Sequence, residues 1–302
     1  MAASVVIPVK NGARYIAEAI GSALAQPEAA LVVVVDDGSV DATAAIVAAI
    51  PDARVKLIAG GRIGVSAARN RGLAEVRKSA EGESFVLFLD ADDRLRDGAL
   101  GRLIAAASPD CVAVYGDYER IDEHGATIGR RAWLRGRRKP SGDILNALLA
   151  GNFIVNGGVM LMRLSAIARL GGFDETLRYC EDWQAFCRLA VLGPILYLDE
   201  TVLDYRVHGA SAMMRGPVSF QHYRDALDRV FADPGVRARL TADEAARLPA
   251  EAEAHLRMYL ACQAVRSHAY ARALPEAARA MRSAPRRAPK HMMRILAAAA
   301  GF

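Results

Sequence analysis

Apolar residues in this chain come in short, nearly unbroken runs, and each run stops at a turn or an acid. Ala3 to Val9 (ASVVIPV), Leu31 to Val35, Val55 to Ala59 and Phe85 to Leu89 are runs of this kind. They predict strands buried on both faces, as in a parallel sheet. Between them the spacing changes. Ile16, Ile20 and Leu24 recur every fourth residue and predict a helix, and further helices are expected from Asp41 and around Ser66 to Leu73. Asn11, before Gly12, is expected to cap the first helix, and Asp41 the second. Pro8 has no N–H to give a ladder, so it is expected at a strand end that faces a ligand or an edge. Strand–helix alternation with short connections predicts an α/β fold with right-handed crossovers and a mostly parallel central sheet flanked by helices.

The second half is less regular. Tyr115 to Gly129 reads as a strand and a turn with Gly125 at the bend, Ile144 to Leu149 as a helix, and Val159 to Met162 as a strand. Glu181-Asp182-Trp183 opens an amphipathic helix through Trp183, Phe186, Leu189 and Ala190, and acids at a helix N-terminus are favoured by the helix dipole. Ile195 to Leu198 is a late strand, and Tyr205-Arg206-Val207-His208 is expected at a strand end of its own. Glu251 to Arg272 and Pro275 to Ser283 predict two alanine-rich helices joined at Leu274-Pro275. The expected division is a main domain over 1–215 and a small helical, basic extension over 216–302.

Acids at the strand tips bring in the chemistry. In extended backbone, residues two apart point the same way, so Asp90 and Asp92 are expected to project together from the C-terminal edge of the fourth strand. Open α/β sheets bind ligands at that edge. Two hard oxygen donors there suit a divalent cation that keeps other positions for water and phosphate, while a solvated acidic turn is the alternative. Asp36-Asp37-Gly38-Ser39 ends the second strand in the same manner. Three strands ending at Pro8, at Asp36-Asp37 and at Asp90-Asp92 read as a nucleotide-binding half. Neither GxGxxG nor GxxxxGK[ST] occurs, so a bound pyrophosphate must be neutralised without a glycine cradle, and a metal on Asp90 and Asp92 would do so.

Composition narrows the class. The chain has 302 residues, enough for one large domain and an appendage, and 53% hydrophobic with 24% charged residues is ordinary for a globular protein. Cys111, Cys180, Cys187 and Cys262 match no zinc spacing and, with no signal peptide recognised, are expected as reduced thiols in a cytoplasmic protein. No apolar run is long enough to span a bilayer. The net charge of +5 is unevenly spread: residues from Arg257 onward carry +8 and the rest −3. Such asymmetry suggests peripheral contact with an anionic membrane surface. Arg130 to Lys139 places six basic residues around Trp133. A loop over an anionic donor or lipid-phosphate acceptor fits that run better than nucleic acid does, and a solvated basic loop fits it equally.

The sequence resembles a family. Ser4 to Asn11 (SVVIPVKN), Val35 to Ser39 (VDDGS), Gly64 to Gly72 (GVSAARNRG), Phe88 to Asp93 (FLDADD), Gly171 to Glu175 (GGFDE) and Glu181 to Trp183 (EDW) are similar to successive motifs of glycosyltransferase family 2, in that family's order, over residues 3 to 210. The resemblance implies a GT-A (nucleotide-diphospho-sugar transferase) fold, a nucleotide-sugar donor (a UDP-sugar first), Mg²⁺ or Mn²⁺ at a DxD motif, and inversion at the anomeric carbon. It implies that Pro8 and Val9 line the base pocket through their backbone and that Asn11 lies in the donor site. It further implies that Asp37 binds uracil or ribose, that Arg69 lies near the base, and that Asp90 and Ala91 belong to the DxD segment. Asp90 and Asp92 become metal ligands, His208 in the YRxH element a third metal or pyrophosphate contact, and Asp182 the general base. The implied acceptor is a glycan or a lipid-linked glycan, in cell-surface polysaccharide synthesis. No QxxRW follows Glu181-Asp182, so a single addition is expected rather than processive synthesis. A sugar nucleotidyltransferase and a non-catalytic scaffold of the same fold are the rival readings. The first should carry a glycine- and arginine-rich loop where this chain has Val9-Lys10-Asn11-Gly12.

Overall fold

The structure, a computed structural model, describes residues 1–79, 84–128, 139–209 and 219–299. Its first four strands, β1 (Ala3–Val9), β2 (Ala29–Asp36), β3 (Val55–Ala59) and β4 (Phe85–Phe88), run parallel to one another. Val5, Val6, Ile7, Val32 to Val35 and Phe85 to Leu89 are fully buried, which is why these strands are apolar on both faces. The helices α1 (Ile16–Leu24), α2 (Thr43–Ala48) and α3 (Val65–Ser79) connect them. α3 lies flush on the sheet because residue 72 is glycine: a Cβ there would stand 2.3 Å from Val6 Cγ1.

Pro8 sits where the ladder to β4 has ended. The carbonyl of Val6 accepts from the N–H of Leu89, just beyond the last paired residue Phe88. Two residues on, Pro8 faces the same side and meets no strand that needs its missing N–H. β1 is thus central in the sheet, yet its tip is an open edge.

The rest of the chain adds β5 (Arg94–Leu95), α4 (Ala99–Ala105), β6 (Ala113–Ile121), α5 (Leu145–Leu149), β7 (Met160–Arg163), α6 (Leu164–Arg169), α7 (Glu181–Leu192) and β8 (Ile195–Arg206). Together the strands form one eight-stranded sheet in the order β3-β2-β1-β4-β7-β6-β8-β5. β7 is antiparallel to both β4 and β6, β8 is parallel to β6, and β5 is antiparallel to β8. The parallel half is therefore the part written in the apolar runs, and the sheet becomes mixed beyond β4. β8 also differs from expectation: it runs unbroken from Ile195 to Arg206, so Tyr205-Arg206 belongs to it.

Five helices follow: α8 (Gln221–Ala232), α9 (Pro234–Ala238), α10 (Ala242–Arg266), α11 (Tyr270–Ser283) and α12 (Ala288–Ala299). The expected break at Leu274-Pro275 is not a break. Pro275 lies inside α11, and the chain turns instead at Ser267 to Ala269, with His268 at a φ of +57°. A proline removes one helix hydrogen bond, and α11 keeps its course because Ala273, Ala277 and Ala280 pack into a shared apolar cluster. Packing does not divide at residue 215 either. Phe220, Tyr223, Leu227, Val230, Val236, Leu248 and Leu256 join the main core, and a separate cluster from Ala254 to Ala298 takes over within α10. Arg130 to Arg138, most of the expected basic loop, lies outside the described residues. Lys139 pairs with Asp117 and lies over the rings of Tyr115 and Tyr197.

Candidate active site

Two groups of side chains meet at the C-terminal edge of the parallel strands. In the first, Val9 and Asp37 stand at adjacent strand tips, the N–H of Asp37 donating to the carbonyl of Val9 at 2.7 Å. The Asp37 carboxylate accepts from the N–H groups of Ile63 (2.6 Å) and Gly64 (3.0 Å) and so pins the loop into α3. Asp36 does the same locally, accepting from Ser39 N–H at 2.9 Å. Asn11 is not a helix cap, since α1 begins at Ile16. With a φ of +54° it turns the chain, its side-chain oxygen accepting from Val40 N–H and its own N–H donating to Ser39 Oγ, both at 2.8 Å. Asparagine tolerates that backbone, which explains the residue without a cap. Pro8, Val9, Asn11 and Asp37 thus share one corner of the edge.

The second group surrounds Arg69, whose side chain is 3% exposed. Its guanidinium meets three carboxylates: Asp90 Oδ1 at 3.1 Å, Glu181 Oε1 at 2.9 Å and Asp182 Oδ1 at 3.0 Å. The resemblance placed Arg69 near a base; the structure places it as the link between the tip of β4 and the start of α7. Its guanidinium carbon also lies 5.3 Å from the centre of the Phe173 ring, which packs edge-on against Phe88. Phe173 is held by Asn70, whose side chain bonds both its N–H and its carbonyl at 2.8 Å. Gly172 is required for that clamp, having a φ of +83° and no room for a Cβ beside Asn70 Oδ1. α7 itself is anchored by buried Trp183, whose indole N–H donates to the Leu148 carbonyl at 2.8 Å.

Asp182 is poised unusually. Burial pushes its carboxyl up to about 7 against the pull of Arg69, with Glu181 and Asp90 adding to the rise. Its Oδ1 is buried and, although close to Arg69, has no aligned hydrogen-bond donor.

Asp90, Ala91, Asp92 and Asp93 turn away from β4 under several constraints. Asn156 Nδ2 donates to both Asp90 Oδ2 (3.1 Å) and Asp93 Oδ2 (2.8 Å). Asp93 is buried, accepts from Arg206 N–H at 2.8 Å, and is pushed well above the carboxylate range by burial and by Asp90 and Asp92. Arg206, 2% exposed on its side chain, donates to the Asp92 carbonyl and to Glu18. Asp92 Oδ2 lies 2.9 Å from His208 Nε2, and the His208 ring packs on Tyr15 at 5.0 Å. Asp92 and His208 are thus in contact, while Asp90 turns to Arg69 and Asn156. Among the described residues no group of three or more His, Cys, Asp or Glu side chains is arranged to hold a metal alone. The donor set instead fits a hard cation bound by one or two carboxylates that shares its coordination with phosphate. Burial and the Asp90 charge push the Asp92 carboxyl up, a repulsion that a cation would relieve.

Asn156 was not singled out by sequence reasoning, and Glu181, Arg206 and Asp93 stood in its motifs without a role in the site. Asn156 carries no local signal, because its partners lie 63 and 66 residues away.

Residues 4–171 match glycosyl transferase family 2. The chain is 32% identical over 270 residues to the succinoglycan biosynthesis protein ExoU of Rhizobium meliloti (strain 1021), covering 84% of this chain and 73% of that protein. The fold is similar to that of S. aureus TarS 1–349 in complex with UDP-GlcNAc, with a TM-score of 0.67 and 18% identity over 99% of this chain and 89% of that one. It is also similar to the mannosyltransferase PcManGT from Pyrobaculum calidifontis in complex with GDP-Man and Mn²⁺, with a TM-score of 0.59 and 21% identity over 93% and 75% of the two chains. With motifs, sheet and edge in agreement, the chain belongs to glycosyltransferase family 2 and is a glycosyltransferase of GT-A fold.

Proposed function

We propose that this enzyme moves one sugar from a nucleotide-sugar donor, a UDP-sugar first, to a hydroxyl of a glycan or lipid-linked acceptor, with inversion. The observation that carries the reading is Asp182: a buried carboxylate raised towards neutrality and paired with Arg69 at 3.0 Å, beside the strand tip that ends in Asp90. A base of that kind takes the proton of the acceptor hydroxyl as its oxygen attacks the anomeric carbon from the face opposite the nucleotide. Arg69 keeps the carboxylate in place and moderates its basicity. The Val9, Asn11 and Asp37 corner is the place for the nucleoside, and Asp90, Asp92 and His208 are the residues that would hold Mg²⁺ or Mn²⁺. When bound, such a cation supplies charge stabilisation to the departing diphosphate. ExoU, a relative named for succinoglycan biosynthesis, supports a role in cell-surface polysaccharide synthesis.

The test is a panel of UDP- and GDP-sugars assayed for metal-dependent thermal stabilisation and for nucleotide release. A donor at about 100 times its Kd should add roughly 2.7 kcal/mol of apparent stability. A chain that binds nucleotide sugars but transfers nothing to any glycan would be a scaffold, and the catalytic reading would fall.

The same reading includes a peripheral contact with anionic membrane. Among the described residues no helix is long and apolar enough to cross a bilayer. α11 and α12 leave Leu274, Met293 and Leu296 at 71%, 67% and 56% exposure, and the stretch from 270 to 299 also exposes Arg272, Arg282 and Arg286. Apolar side chains flanked by cations suit the headgroup region of an anionic lipid surface.

A further inference from the structure

His208 stands just past the end of β8, after Val207, whose N–H donates to the Ile121 carbonyl at 2.9 Å. Its Nε2 is 2.9 Å from Asp92 Oδ2, and its ring centre is 5.0 Å from that of Tyr15, the two planes tilted by 51°. Tyr15 comes from the other end of the chain, at the head of α1. Its backbone is fixed on both sides. Its N–H donates to the Gly12 carbonyl at 2.9 Å, and its carbonyl accepts from Ala19 N–H at 3.0 Å. Gly12 lets this turn lie close on the sheet edge, since a Cβ there would stand 2.5 Å from Val9 Cγ2 and 3.7 Å from Ala91 Cβ. Tyr15 is thus carried by a turn that rests on both the nucleoside corner and the Asp90 to Asp92 segment.

The Tyr15 ring has a second, well-anchored neighbour. The Arg206 guanidinium carbon lies 4.7 Å from the ring centre. That guanidinium is itself tied to the Asp92 carbonyl at 2.8 Å, the Asp122 carbonyl at 3.3 Å and Glu18 Oε2 at 2.6 Å. Attraction between cation and ring therefore braces Tyr15 against a group that three acceptors already hold. Tyr15 is 8% exposed, yet among the described residues it belongs to neither apolar cluster, so filling the core does not account for it. Its hydroxyl is buried and has no partner among the described residues. A buried hydroxyl without a partner costs stability, so the part of Tyr15 that the site uses is the ring.

We infer that Tyr15 is a positioning residue: its ring, braced by Arg206, holds the His208 imidazole against Asp92, so that a cation and the donor's diphosphate meet it already oriented. A side chain fixed before binding loses less freedom when the ligand arrives, and that difference appears as affinity. This rests on the proposed place of His208 in the donor site and adds to it the residue that fixes His208. Tyr15 acts through the imidazole and not by its own contact with cation or nucleotide.

The experiment measures binding of UDP and GDP to the full chain in Mn²⁺ by calorimetry, with free Mn²⁺ followed by EPR and a melting temperature recorded for each variant. For whichever nucleotide binds the wild type, His208→Ala should weaken binding. Tyr15→Leu should weaken it roughly two- to tenfold, the range of one aromatic contact, and Tyr15→Phe, which keeps the ring, should match the wild type. Added to His208→Ala, Tyr15→Leu should cost nothing further, because no imidazole is left to hold; a structural role would cost the same in both backgrounds. Wild-type affinity in Tyr15→Leu, an equal loss in both backgrounds, or a phenylalanine variant as weak as the leucine one overturns the assignment. If Tyr15→Leu melts well below the wild type, Tyr15→Met replaces it under the same criteria, and unfolding of both overturns the proposal by making Tyr15 structural. Wild-type affinity in His208→Ala overturns the role of His208 instead. Failure of both nucleotides to bind the wild type overturns the donor reading, and the role of Tyr15 falls with either.

Discussion

Arg69 Nη1 stands 3.0 Å from Asp182 Oδ1 while also meeting Glu181 Oε1 at 2.9 Å, so one buried nitrogen holds both acids of the Glu-Asp pair. Asp182→Asn keeps the size of the side chain and removes its basicity. Sugar transfer should fall by about 10² to 10⁴, with donor affinity close to wild type, because the carboxylate acts in the transition state and not on the bound nucleotide. Turnover and nucleotide Kd measured on one preparation check this. Near wild-type turnover would remove Asp182 as the base and make Glu181 the next candidate.

The raised carboxyl gives the reaction a pH dependence with a defined sign. Asp182 accepts a proton only when ionised, so kcat should climb through about pH 7 and level off above it. Stability runs the other way. The unfolded group loses its proton near 3.8 and the folded one near 7, so between these values the native state binds more protons and its stability falls as pH rises. Urea denaturation at pH 5 and pH 7.5 should show Asp182→Asn gaining on the wild type at the higher pH. A constant difference would mean that Asp182 is ionised throughout.

Asn156 is expected to matter for stability as well as for catalysis. It donates one amide group to Asp90 and to buried Asp93. Asn156→Ala strips Asp93 of that donor and should cost about 1–3 kcal/mol in denaturant unfolding. Asn156→Asp adds a fourth carboxyl to Asp90, Asp92 and Asp93 and should cost more, with partial recovery at low pH. Indifference to both substitutions would show that Asp93 keeps its proton and position without help.

Asp92 faces His208 at 2.9 Å and, with Asp90, would face the donor's diphosphate. Without a cation these like charges repel. Calorimetry should therefore find nucleotide binding dependent on Mg²⁺ or Mn²⁺ and strongly weakened in Asp92→Ala. Metal-independent affinity that the substitution leaves unchanged would dismiss the metal site.

Cosedimentation with anionic vesicles tests α11 and α12. Basic residues near such a surface contribute about 1 kcal/mol each and are screened by salt, so binding should drop as salt rises. Met293→Glu with Leu296→Glu should lower it further, whereas neutral vesicles should bind weakly throughout. Retained binding in the double variant would show that these side chains are only solvated.

What the sequence made legible was the half in which one residue type decides the outcome. Val32 to Val35 and Phe85 to Leu89 could only be buried strands, and the acids that stop them had to lie at the sheet edge. The mixed half was harder to read. β7 is four residues long and nothing in Met160 to Arg163 announces that it runs antiparallel to both neighbours. Asn11 was misread because a turn and a helix cap favour the same residue. Pro275 was misread because one lost hydrogen bond is smaller than the packing of a helix face. Arg69 was visible in its motif, but its partners at 90, 181 and 182 are joined to it only by the fold.

The Arg69 cluster also has a consequence for how the chain is made. Arg69 leaves the ribosome 112 residues ahead of Glu181, and until α7 is made its buried guanidinium has Asp90 but neither Glu181 nor Asp182 to balance it. The amino-terminal half is therefore predicted to stay open around α3 until α7 arrives, and the base enters together with the charges that let the pocket close. A chain stopped after Glu175 should then expose α3 to a protease that the full-length chain resists, and equal resistance would overturn this order. In such a sequence of events, a growing chain has no interval in which it can grip a sugar donor tightly without the proposed base, Asp182, in place.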